Sequence, residues 1–221
     1  MKNKQGLMLV YGVVVGIASF FVITLMARYW MDSQRQHLAQ IISEKVSDQE
    51  RKVSNTSALI ASTDSQVNLF FKDCSTRIRF DTLLDKLSST ISHAELEELS
   101  AMYDSCANFY PNRRAVMTLR FGREVELLKE YVEIKKTFTK NDDEAQDSRV
   151  AIWYSILDAE IEIAKQFKLQ AEVQRSIIQH LKAGKNERSA EIVESLDQAK
   201  EIAKQITFQL GMIEKYRLQL N

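Results

Sequence analysis

Gly6 to Ala27 reads GLMLVYGVVVGIASFFVITLMA, an unbroken run without one charged side chain, and the chain after it is polar, helix-patterned and almost free of proline. At the helical rise such a run crosses roughly 30 Å of hydrocarbon. Its twelve Leu, Ile, Val and Phe residues favour insertion by about 4 to 7 kcal/mol, and no charged residue opposes them at about 2.5 to 3.5 kcal/mol each. Tyr29 and Trp30 follow directly, with rings suited to the headgroup interface. The competing reading is a cleaved signal peptide, since Lys2 and Lys4 precede the run. Against it, the run exceeds the ~7 to 15 residues of a signal core, and Leu25, Met26 and Ala27 make a poor cleavage site. The expectation is a retained transmembrane helix, residues 6–27, after a short tail, residues 1–5, with the lipid bilayer as first partner.

Basic residues leave the orientation open, because Lys2 and Lys4 on one side face Arg28 and Arg35 on the other. The two cysteines break the tie. Ser92, His93, Ala94 and Glu95 form a capping box that starts a helix. If helices enter and leave that turn antiparallel, Cys74 and Cys106 lie nearly level across a hairpin. A bridge between them adds about 3 to 4 kcal/mol and belongs to an oxidising compartment; the alternative is two buried free thiols. The bridged reading places the N-terminus in the cytoplasm and the remainder outside it, in the periplasm if the source is Gram-negative. The unbridged one permits a cytoplasmic bundle acting as an assembly factor.

Lys plus Arg and Asp plus Glu both number 30, so no net charge points to nucleic acid. One proline and six glycines, three of these in the apolar run, exclude a turn-rich β architecture. The fold class is therefore all-α: a single transmembrane helix, a coiled-coil-like stalk at 28–74, and an antiparallel helical bundle at 75–221. In the stalk, Val46, Val53, Ile60 and Val67 lead from Ala39 to Cys74 at heptad spacing, with Ile42, Gln49, Thr56, Thr63 and Phe70 between them. Gly12 and Gly16 stand four apart in the membrane run, a spacing that lets two helices approach closely. Together these predict a homodimer; packing of the stripe on the chain's own later helices is the alternative.

The apolar periodicity places helices at about Phe80 to Ser89, Ala94 to Asn108 and Arg113 to Thr139, with a break at Tyr110-Pro111-Asn112. It ends in a long hairpin, about 149–183 and 187–220, with Gly184 as C-terminal cap and Asn186 starting the return. Arms about 50 Å long joined so tightly must run antiparallel.

Chemistry is sparse. His37, His93 and His180 are scattered without metal-pair spacing, and Asp142, Asp143, Glu144 and Asp147 lack the alternation and glycine of a calcium loop. No phosphate cradle or nucleophile elbow occurs, so no catalytic residue, metal or cofactor is expected. Arg77 and Arg79 after Cys74, and Arg113 and Arg114 after Cys106, would gather beside a bridge and could receive an acidic partner; pairing with Asp73, Asp81, Asp104 and Glu124 is the alternative. The expected function is that of a membrane-anchored interaction or scaffold component with a protein partner. A ligand-binding or sensory bundle signalling through a partner is the alternative.

Overall fold

The computed structural model describes the backbone of residues 2–61, 66–87, 91–139, 144–186 and 188–220, with side chains described except at 2–15, 17, 18, 60, 61, 66–69, 71 and 111–118. The chain is all-helical, with no strand among the described residues. Among the described residues seven α-helices follow in order: α1 Lys2–Ala61, α2 Gln66–Arg77, α3 Phe80–Leu87, α4 His93–Val116, α5 Arg123–Thr139, α6 Glu144–Lys182 and α7 Ala190–Leu220. A π-helical segment, Met117–Gly122, joins α4 to α5.

The central helix α6 packs on α7 along one side and on α4 and α5 along the other. Lys182 to Glu97, Arg175 to Asp104 and Lys136 to Asp147 are ion pairs that join it to α4 and α5. They step in opposite directions along the two strings, which makes α6 antiparallel to α4 and α5 throughout. Around this frame α1 lies on α5, α2 on α4 and α3 on α7. Most of the buried side chains form one core, and Leu83, Ile177 and Ile192 form a smaller one beneath α3.

Local chemistry explains the ends. Ser92 and Glu95 cap α4 reciprocally: the Glu95 amide donates to the serine hydroxyl at 3.3 Å, and the Ser92 amide donates to the Glu95 carboxylate at 2.8 Å. Gly184, at φ +76°, closes α6. Its amide donates to the Leu181 carbonyl and that of Lys185 to the His180 carbonyl, the paired bonds of a left-handed glycine cap. The return helix begins at Ala190, not at Asn186, whose side chain instead accepts from the Arg188 amide in a turn.

The break expected at Pro111 does not occur; α4 runs through it, and the irregularity comes later as the π segment. A proline inside a helix costs about 3 kcal/mol. Tyr103, Cys106 and Tyr110 before it and Phe121, Val125 and Leu128 after it are buried, each large apolar side chain contributing about 1.5 to 3 kcal/mol. Packing prevails. Val46 and Val53, read as the seam of a two-chain stalk, are buried within this chain's own core on the part of α1 that meets α5. Gln49, an odd residue for a coiled-coil seam, donates its amide to the Glu124 carboxylate at 2.5 Å and to the Glu124 carbonyl at 3.0 Å. Ile60 and Val67 lie outside the described side chains.

Among the described residues no helix is long and apolar enough to cross a membrane; of the 6–27 run, the side chains of 6–15, 17 and 18 lie outside the described set. From Ser19 to Leu38 every side chain of α1 is exposed.

Candidate functional site

Ser47, Glu50, Arg51, Ser54, Ser57 and Ala58 recur at three- and four-residue spacing, so they share one face of α1 beside its buried stripe. That face looks onto the start of α6, at Arg149 and Trp153, and the end of α7, at Arg217 and Leu220. These residues enclose a cleft of about 730 Å³. Three helices distant in sequence each bring a guanidinium to it, while Glu50 is the one carboxylate among its lining residues.

Two of the arginines are held by the protein. Arg149 donates from Nε to the Glu50 carboxylate at 2.6 Å and from Nη1 to the Leu220 carbonyl at 2.9 Å. Arg217 reaches the Ser57 hydroxyl at 3.4 Å and the Glu160 carboxylate at 3.9 Å. Arg51 is more open and pairs with Asp48 one turn back. Trp153 is 5% exposed and rests edge-to-face on Phe121, ring centroids 6.2 Å apart. Its indole N–H finds no acceptor among the described residues, an omission that costs about 1 to 3 kcal/mol when a donor is desolvated.

A second surface is apolar. On α7, Ala203, Thr207, Phe208, Gly211 and Met212 form a groove of about 690 Å³ with Phe80 at the start of α3, flanked by Lys200 and Lys204 and by Asp81, which Arg79 pairs. Phe208 is 64% exposed within it.

Cys74 and Cys106 are joined, with Cα atoms 5.6 Å apart. The geometry differs from a simple hairpin, because the chain turns at Ile78 and Arg79 and α3 leaves to pack on α7. Arg77 and Arg79 each pair with a neighbouring carboxylate, Asp73 and Asp81. Asp104 is taken by Arg175 and Glu124 by Gln49. Arg113, Arg114 and Gly12 lie outside the described side chains, and Gly16 is exposed with open space about its Cα. Among the described residues no group of three His, Cys, Asp or Glu side chains could hold a metal ion. Tyr103 is buried and its hydroxyl pushed far above the ordinary range by desolvation, which keeps it protonated. Tyr154 is raised to about 12, first by desolvation and then by its bond to Glu126.

The cleft escaped sequence reasoning because its members span the chain from Ser47 to Leu220. The usable signal was local: Ser47, Ser54 and Ser57 flank the apolar stripe of α1, where lysine or glutamate is the commoner solvent-facing choice. In comparison with known proteins, no family model, no curated protein and no solved structure matches the chain.

Proposed function

We propose that this chain is a single-pass membrane protein whose helical bundle stands on the extracytoplasmic side and works by binding another protein. One observation carries the reading. Phe20, Phe21, Val22, Ile23, Leu25 and Met26, then Tyr29 and Trp30, are all exposed on a helix that nothing among the described residues covers there, at the end of a run free of charged groups. Water penalises such a surface at ~25 cal/mol per Å², and lipid removes the penalty. The Cys74–Cys106 bond supports the oxidising side of the membrane. Gly12 and Gly16 remain the places for a second copy to pair in the bilayer, since α1's buried stripe at Val46 and Val53 is already occupied.

The contact surface is the groove around Phe208. Its apolar floor and flanking Lys200 and Lys204 suit a partner helix that presents apolar side chains edged by carboxylates. In the test, membranes from cells making the full chain are washed with alkaline carbonate, and a photo-cross-linker is placed at Phe208 or at exposed Glu194. The chain is expected to stay with the membranes and to form a discrete heterologous product from position 208 alone. Release by carbonate refutes the anchor, and identical products from both positions refute the groove.

A further inference from the structure

We infer that the cleft between α1, α6 and α7 binds a small organic oxyanion, a carboxylate or a phosphate ester, through Arg51, Arg149 and Arg217 beside the indole of Trp153. The inference stands apart from the protein-contact role and uses different residues.

Three features support it. The first is charge: three guanidinium groups and one carboxylate line the space, with Glu50 engaged by Arg149, Asp48 paired to Arg51 from outside the lining and Glu160 3.9 Å from Arg217. Guanidinium is the side chain that donates two parallel bonds to a carboxylate or phosphate. Arg149 and Arg217 are also steadied by protein acceptors, so an arriving anion would order few rotors. The second is Trp153, whose indole lines the cleft and whose buried N–H has no acceptor among the described residues. The third is shape, because about 730 Å³ is within the range of small-molecule sites and far larger than an ion needs. Ala58, Trp153 and Leu220 provide an apolar wall for the body of the ligand, and Ser47 and Ser54 add hydroxyls.

Position selects a soluble ligand over a lipid headgroup. Ser47 follows Ala27 along the continuous helix α1 by roughly 30 Å at ~1.5 Å per residue, which carries the cleft clear of the interface.

The chain contains two tryptophans, Trp30 and Trp153, so indole-labelled full-length protein in detergent micelles gives two resonances, one serving as internal control. Citrate, phenyl phosphate, inorganic phosphate and chloride are titrated at matched ionic strength. The Trp153 resonance is expected to move saturably with citrate or phenyl phosphate while that of Trp30 stays, and Arg217→Gln is expected to raise the Kd at least about tenfold. Arg51→Gln, at an exposed position that the fold does not need, is expected to weaken binding in the same direction. A Trp153 response no greater than chloride produces overturns the inference. So does an unchanged Kd in both variants, and a response to inorganic phosphate as tight as to either organic anion shows an ion site only.

Discussion

Gln174 on α6 donates its side-chain amide to the carbonyl oxygen of Ile78 at 2.8 Å, and both residues are fully buried. The bond pins the turn between α2 and α3 to the central helix, at the point where the backbone stops being helical and its carbonyl would otherwise lack a donor. One turn earlier on the same stripe, Gln170 is 1% exposed with neither amide atom paired among the described residues. The two glutamines therefore respond oppositely to the same change. Gln174→Leu strands the Ile78 carbonyl, a cost offset in part by loss of the glutamine's own unpaired Oε1, and lowers stability by about 1 kcal/mol. Gln170→Leu removes two unpaired polar atoms at nearly constant volume and raises it by about 1 kcal/mol. Urea midpoints at unchanged slope measure both, and shifts of equal sign would contradict the assignment.

The Cys74–Cys106 bond closes a separation of 32 residues, and the constraint acts mainly on the unfolded chain. Replacing both cysteines by alanine is expected to lower stability by about 3 to 4 kcal/mol. Reducing agent should lower the melting temperature of the parent protein to that of the double variant. A parent protein indifferent to reductant would mean that the bond is not formed where the protein works.

These features differ in how far the sequence announced them. The Ser92–Glu95 box, the Gly184 cap and α3 were legible because each is a local exchange of backbone partners within a few residues. The cysteine pair was legible for a less secure reason, since equal distance from a turn anticipated the contact although α3 departs from the assumed hairpin. The heptad of Val46 and Val53 was ambiguous, because an apolar stripe states how wide the contact is and not which helix fills it. Gln166, Gln170 and Gln174 are buried although their composition reads as solvent-facing; only their spacing of four, in step with Ile163, Phe167 and Ala171, hinted at the interior. Pro111 misled because its penalty is local and the packing on both sides of it is not.

Gly184 adopts φ +76° and has no atom within 4 Å of where a Cβ would stand. Alanine there meets backbone strain alone, with no steric clash, so Gly184→Ala should cost about 1 to 2 kcal/mol. Asn tolerates the left-handed region better, and Gly184→Asn should recover part of that loss. Thermal unfolding of the three proteins checks the order, and an alanine variant as stable as the parent would show that the turn between α6 and α7 relaxes.

Acid should weaken the fold through three exposed carboxylates. Glu95 is held below its usual value first by the Ser92 backbone amide and then by the Ser92 hydroxyl, Glu97 by a hydrogen bond from Lys182, and Glu191 by one from Lys185. Because the unfolded chain takes up these protons first, their stabilisation is complete above the ordinary carboxylate pKa of about 4.3 and is lost as pH falls through the lower folded values. Lys136 behaves in the mirror sense. Its hydrogen bond with Asp147 raises it, so its contribution is complete below the ordinary lysine value of about 10.4 and is lost as pH rises through the higher folded one. Stability measured from about pH 6 to pH 3 should therefore decline, and the combined Glu95→Gln and Glu97→Gln variant should decline less steeply. The same double variant should leave the alkaline limb untouched, whereas Lys136→Met should flatten it. An acid limb that keeps its parental slope in the double variant would place the responsible carboxylates elsewhere.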